Sequence, residues 1–151
     1  MRYLLVDRII DWQQGESIKG IKNVAMSEDF LEYHFPKTPV MPGVLLLEAL
    51  VQLAGWLEAA SSNFENWFLL NQVERSSFYG FALPGDRVEL ELQAKSTQPS
   101  APKCFTGSCS VDGKKRMAAE FAGEIVRLVD YEDVEEQKRL FRSLTRDESR
   151  R

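Results

Sequence analysis

The chain holds one histidine, His34, and two cysteines, Cys104 and Cys109, in 151 residues. So few imidazoles and thiols leave little from which to build a metal site, and none is expected. The cysteines are five apart, which is not a metal-ligand spacing and in a strand puts the thiols on opposite faces. They read as buried or half-buried free thiols, in keeping with a reducing cytoplasm. No glycine-rich phosphate loop occurs, so no nucleotide is implied. Positive charge is not in excess: 19 Lys and Arg against 23 Asp and Glu give a formal net charge of −4. Nucleic acid is therefore not an expected partner. An acidic protein carrier is repelled by that mean charge but can still dock on a local basic patch. The apolar run Leu4-Leu5-Val6 stops at Asp7 and Arg8, too short for a signal peptide or a membrane span. A cytoplasmic protein is the expectation.

What is present is an ordinary globular composition, 44% hydrophobic and 28% charged, in a length that suits one domain with a sizeable core. Leu4 to Trp12 and Ser17 to Val24 read as strands on either side of a Gln-Gln-Gly turn. Ser27 to Phe30 suggests a short helical turn opened by a capping residue. A loop punctuated by Pro36, Pro39 and Pro42 follows. From Val44 to Ala60 no proline intervenes, helix formers dominate, and leucines point in nearly every direction around the axis. That pattern predicts a buried central helix of about 17 residues, just short of a membrane span, carrying Glu48, Gln52 and Glu58. Five strands are expected beyond it: Phe68 to Val73, Ser77 to Leu83, Arg87 to Lys95, Phe105 to Val111 and Arg116 to Leu128. Pro84-Gly85-Asp86 and Asp112-Gly113 are turn signals, and Thr97 to Pro102 a loop. Val88, Leu90 and Leu92 alternate with Glu89, Glu91 and Gln93, which gives one dry face. The expected class is α+β, a helix wrapped by an antiparallel meander, over residues 1–129. Residues 130–151 read as a charged tail, acids first and bases later, forming a solvated helix that frays at its end.

His34 stands in a rigid loop between prolines. Its ordinary pKa suits proton transfer, although a lone loop histidine is more often without a role. Glu48 lies on the apolar helix, where an ionised carboxylate needs a partner. Gln52, one turn on, shares its face and can hydrogen-bond it. A buried structural pair reads the same way. Gly43 and Val44 stand at the helix start, where free N–H groups and the helix dipole can steady a developing oxyanion. Taken alone, Gly43 reads as a packing glycine.

The run His34-Phe-Pro-Lys-Thr-Pro-Val-Met-Pro-Gly-Val-Leu-Leu-Leu-Glu-Ala-Leu-Val-Gln52 resembles the 3-hydroxyacyl-[acyl-carrier-protein] dehydratases of fatty acid synthesis. The motif is His-Phe-Pro, Met-Pro-Gly and Glu-Ala, with the His and Glu 14 residues apart and a Gln four residues after the Glu. Leu-Leu-Val-Asp-Arg8 and Pro84-Gly85-Asp86 match as well. The resemblance implies a hot-dog fold and a homodimer, open to further assembly as a trimer of dimers, with sites between subunits. It implies that His34 takes the α-proton, that Glu48 protonates the leaving hydroxyl, and that the Gly43 N–H polarises the thioester carbonyl. Val44, Gln52, Phe35 and Pro36 support them. The substrate it implies is an acyl chain on the phosphopantetheine of acyl carrier protein or coenzyme A, with no further cofactor. The rivals are a hot-dog acyl thioesterase and a non-catalytic acyl-binding subunit. The chain departs from the pattern at Tyr33 and Lys37, where glycine is usual, and at Tyr79, Gly80 and Phe81, where Arg or Lys followed by Pro is common. Lys37, Arg75, Arg87 and Lys114-Lys115-Arg116 are candidates for carrier docking.

Overall fold

The computed structural model describes residues 3–95 and 101–146. Most of the loop expected at 97–102, and the frayed end of the tail, lie outside the described residues. Six antiparallel strands form one sheet: β1 (Arg8–Gln13), β2 (Ser17–Asn23), β3 (Asn66–Phe78), β4 (Arg87–Ala94), β5 (Lys103–Val111) and β6 (Lys114–Arg127). Their order is β1-β2-β4-β5-β6-β3. Helix α1 (Gly43–Ser61) lies against the concave face, and α2 (Val134–Thr145) packs at one end, on β1.

The expected alternation holds on β4, where Val88, Leu90 and Leu92 are buried and the residues between them exposed. Asp112 and Gly113 both take positive φ, 50° and 75°, as a tight hairpin turn between β5 and β6 requires. Cys104 and Cys109 are free thiols on opposite faces of β5. Burial pushes the Cys109 thiol up to about 12.

α1 runs two residues longer than expected and is long and apolar enough to cross a membrane by length and composition alone. It is instead the core helix. Leu46, Ala49, Leu50, Leu53, Ala54 and Leu57 are buried against the sheet. Its burial is not complete all round, because Val44 is 66% exposed and Leu45, Leu47 and Val51 are half-buried. Two glycines let the helix approach: a Cβ on Gly20 would stand 3.0 Å from Leu53, and one on Gly107 would stand 3.1 Å from Leu50. The helix's last acid, Glu58, is buried and paired with Lys103 at 3.2 Å.

Three expectations are corrected. One long strand, β3, runs through the strand expected at 68–73 and into the start of that expected at 77–83; residues 79–83 lie beyond it, and its pairing with β6 slips twice, at Leu70/Gln72 and at Val73/Arg75. Each slip swaps the faces, so simple alternation breaks where the strand itself does not. The first strand begins at Arg8; Asp7 N–H still bonds the Ile21 carbonyl at 2.7 Å, and before it the Tyr3 carbonyl and the Leu5 N–H bond Gln52 on α1. The tail helix is not wholly solvated. Asp133 caps it by accepting from the Glu136 N–H, and the acids-first order suits its dipole. One stripe, however, buries Leu144 and packs Leu140 and Phe141 onto the core.

Lys22 is 3% exposed and lies between Asp7, at 3.3 Å, and Glu28. Asp7 also accepts from the Asn23 N–H at 2.7 Å. This ion pair ties β2 to the segment before β1 and to the start of the proline loop.

The close contact under α1 yields a prediction in which two effects oppose. Gly107→Val raises strand propensity by up to about 1 kcal/mol. It also drives methyl groups into Leu50 and Leu92, and overpacking of this kind costs about 1–3 kcal/mol. Packing wins, so a urea denaturation midpoint should fall. An unchanged or higher midpoint would show that the helix has room to move.

Candidate active site

His34 sits in the loop between the short 3₁₀ turn Asp29–Leu31 and α1. The loop is closed by its own backbone: Phe35 and Thr38 exchange N–H to carbonyl bonds at 3.1 and 3.0 Å, and the Val40 N–H donates to the His34 carbonyl at 2.8 Å. Met41 N–H then bonds the Ala82 carbonyl at 2.9 Å, which anchors the loop to the segment leaving β3. His34 Nδ1 lies 2.9 Å from the Val40 carbonyl. A carbonyl only accepts, so Nδ1 carries the proton and Nε2 keeps the lone pair. Phe35 stacks on the imidazole at 4.3 Å between centroids. Pro36 is exposed and does not line the His34 cavity; it shapes the turn.

That cavity has a volume of about 280 Å³ and is lined by His34, Gly43, Val44, Phe78, Gly80 and Phe81, among others. Gly43 and Val44 open α1, and Pro42 before them offers no side-chain cap. Their N–H groups are therefore among those a helix start leaves without intrahelical partners. Gly43 is also sterically required, because a Cβ there would stand 2.6 Å from the Phe78 ring. The sequence suggested either a packing glycine or an oxyanion donor, and the geometry allows both. Phe78 and Phe81 were expected inside one strand; Phe78 ends β3, and Phe81 lies beyond it. They are exposed and form the rim, a placement that strand periodicity does not reveal.

Glu48 lies one turn further along α1, half-buried, in a different cavity of about 340 Å³. Gln52 Nε2 donates to Glu48 Oε1 at 3.0 Å and to the Tyr3 carbonyl at 2.9 Å, while Gln52 Oε1 accepts from the Leu5 N–H at 2.9 Å. Both amide hydrogens and the carbonyl are used, so the amide has one workable orientation. It holds one Glu48 oxygen, and no hydrogen bond to the other is made among the described residues. The expected Glu48–Gln52 pair is present, and its anchor is the chain segment before β1. Trp56, Trp67, Leu69, Tyr131 and Leu140 also line this cavity, and none was singled out in the sequence. Aromatic residues in strands and tails read first as core.

Among the docking candidates, Arg75 is bound to Glu120 at 3.1 Å, with Lys95 on the other oxygen at 3.0 Å. Hydrogen bonds from Lys95 and then Arg75 hold the Glu120 carboxyl below its usual range. Arg116 lies beside Gly80, at the rim of the His34 cavity: a Cβ on Gly80 would meet its Nη1 at 2.9 Å.

An antiparallel sheet curled around one long helix, with an imidazole and a carboxyl near the helix start, defines a hot-dog protein equipped for acid–base chemistry. The chain belongs to the FabA-like domain family, whose model matches residues 1–120. It is similar to the 3-hydroxyacyl-[acyl-carrier-protein] dehydratase FabZ of Oleidesulfovibrio alaskensis, 39% identical over 131 residues, covering 85% of this chain and 84% of that one. The enzyme of the same name from Nitratidesulfovibrio vulgaris strain Miyazaki F is 43% identical over 121 residues, covering 78% and 77%. A solved hot-dog-like protein from Thermanaerovibrio acidaminovorans superposes with a TM-score of 0.62 at 13% identity, covering 84% of this chain and 89% of that one, a likeness of fold alone.

Because His34 is the only histidine, its tautomer can be read without assignment. Nitrogen-15 correlation spectra of the neutral ring should show the proton on Nδ1. A dominant Nε2–H form would contradict the bond to Val40 and remove the lone pair needed for a base.

Proposed function

We propose that this chain dehydrates (3R)-3-hydroxyacyl-[acyl-carrier-protein] to the trans-2-enoyl thioester in fatty acid or related lipid synthesis, acting in the cytoplasm. The observation that carries the proposal is the pairing of an imidazole whose Nε2 is free with a carboxyl that has one oxygen held by Gln52 and no hydrogen bond to the other among the described residues. The similar proteins are named 3-hydroxyacyl-[acyl-carrier-protein] dehydratases. His34 Nε2 removes a proton from C2 while the Gly43 N–H, with Val44 beside it, takes up the charge developing on the thioester oxygen. Glu48 gives its proton to the C3 hydroxyl, the C3–O bond breaks, and the C2–H electrons become the double bond. Water leaves, and exchange with solvent restores both groups. Neither step asks for a metal or a redox cofactor, and the acyl group arrives on a phosphopantetheine arm of acyl carrier protein or coenzyme A. Arg116 at the cavity rim suits the acidic carrier.

Two features support a homodimer with shared sites. His34 and Glu48 line separate cavities of one chain. A substrate that must touch both therefore calls for a second copy. In addition, β3 is a 13-residue edge strand, paired only with β6. Long open edges are hazardous unless covered, and pairing β3 with its two-fold mate covers them.

Purified protein given a 3-hydroxyacyl thioester should form the enoyl thioester. Free acid would mean a thioesterase, and no change an acyl-binding subunit. His34→Ala and Glu48→Gln should each lower kcat by about 10²–10⁴-fold, roughly 3–5 kcal/mol, with the fold intact by circular dichroism. When the two inactive variants are mixed and reassembled at random, about half the dimers are mixed, and each has one intact site, so about a quarter of the activity should return. If mass spectrometry confirms mixed dimers and activity stays at the parental level, the pair works within one chain.

A further inference from the structure

The cavity beside Glu48 is larger than the acid–base step needs. Glu48, Gln52 and Trp56 line it at i, i+4 and i+8 on α1, so it follows the helix for two turns, about 12 Å. Beyond Glu48 its apolar walls are Trp56, with Trp67 edge-on to it at 5.3 Å, Leu69 from β3, and Leu140 from α2, while Glu132 and Gln137 add polar groups near the α2 end. The α2 wall stands at the Trp56 end. Phe141, the next residue after Leu140, sets its ring against Trp56 at 5.9 Å, Phe64 at 5.5 Å and Trp12 at 6.0 Å. These contacts fix the helix in place, so Leu140 presents a fixed surface. Tyr131, just before α2, adds to the same wall and is otherwise 58% exposed. Both residues lie beyond the span that the family model matches, residues 1–120.

We propose that α2, through Leu140 and Tyr131, closes the far end of the cavity in which the dehydratase reading places the acyl chain beyond C3, and so sets the longest chain the enzyme accepts. The inference rests on the dehydratase reading. With the C3 hydroxyl at the Glu48 carboxyl, C4 and all later carbons must leave from that point. The thioester end occupies the His34 and Gly43 side. The tail therefore enters the subunit that supplies Glu48, along the Gln52–Trp56 face of its α1. Growth of the tail brings it to Leu140, and a chain too long for the space must either displace α2 or bind poorly. One methylene more or less in an apolar pocket changes kcat/KM by about 10–200-fold, so a single wall residue is enough to move the cutoff.

The test measures kcat/KM for enoyl formation over a graded series of 3-hydroxyacyl thioesters, with the full-length protein and three variants. Leu140→Ala should raise the long-to-short ratio by about tenfold or more and move the cutoff to longer chains. Leu140→Trp should move it to shorter ones. Tyr131→Ala, at an exposed position that folding does not depend on, should open the same wall and lengthen the range should either Leu140 variant fold poorly. A merely structural role for α2 would lower all lengths together and leave the profile unmoved, which overturns the inference while dehydration itself stands. If no length gives enoyl product with the unaltered protein, the functional reading falls and this inference with it.

Discussion

The site depends on three hydrogen bonds made by one amide. Gln52 holds Glu48 with one N–H, the Tyr3 carbonyl with the other, and the Leu5 N–H with its oxygen. A carboxyl on an otherwise apolar helix has to be positioned by something polar, and an unanchored side chain would swing among rotamers. The N-terminal segment supplies the anchor by leaving the sheet before Asp7, whose N–H is the last to bond β2, at the Ile21 carbonyl. The backbone groups that a longer β1 would have used are spent instead on the helix. Asp7 makes this detour rigid at its other end by engaging Lys22 and the Asn23 N–H. Fold and site thus share one polar bridge, running from β2 through the N-terminal segment to the middle of α1.

Because the sheet holds α1 so closely, these small polar contacts set positions with precision. A helix resting on Gly20 and Gly107 has its leucines seated directly over backbone. Interiors packed at this density resist shifts, and a displaced turn would strain several contacts at once. The rigidity is passed to both ends of the site. Gly43 is pressed by Phe78, and Trp56 by Trp67, so the first turn and the fourth are each gripped by β3 or its end. β3 itself is bent by two bulges, and such bends re-aim side chains where a regular strand would not.

Much of this was legible in the sequence, and the reasons for the rest are physical. The run from His34 to Gln52 carries the proposed acid–base pair, the proposed oxyanion glycine and the amide that holds Glu48, within one loop and the first turns of α1. Chemistry that is local in sequence can be read from spacing. The alternation of β4 and the Asp112-Gly113 turn were equally clear, because period and φ preference are local as well. What could not be read is non-local. The bulges in β3 depend on pairing with β6, so the polar stretch Glu74 to Ser76 looked like a break. The burial of Lys22 depends on Asp7 and Glu28, which the fold brings to either side of it. In the tail, Leu140, Phe141 and Leu144 are three apolar residues in a charged segment. Their weight comes only from the aromatic residues they meet, Trp12 on β1, Trp56 on α1 and Phe64 after it.

The most informative difference lies on α1 itself. Leucines in nearly every direction implied a helix buried on all sides, yet Val44, Leu47, Glu48, Val51 and Gln52 are exposed or only half-buried. These positions fall at i, i+3, i+4, i+7 and i+8, a single face. The sheet covers the opposite side. A face that is apolar in sequence but uncovered in one chain must acquire its cover from elsewhere, since open apolar patches on isolated proteins are small or functional. Here the face carries the two polar residues of the site, and the cavities on either side of it contain the imidazole and the apolar pocket. In the function proposed above, a second copy of the chain and the acyl substrate would together supply that cover. The apolar periodicity of α1 thus exceeds what the single chain buries, and the proposed dimer is the reading that uses the excess.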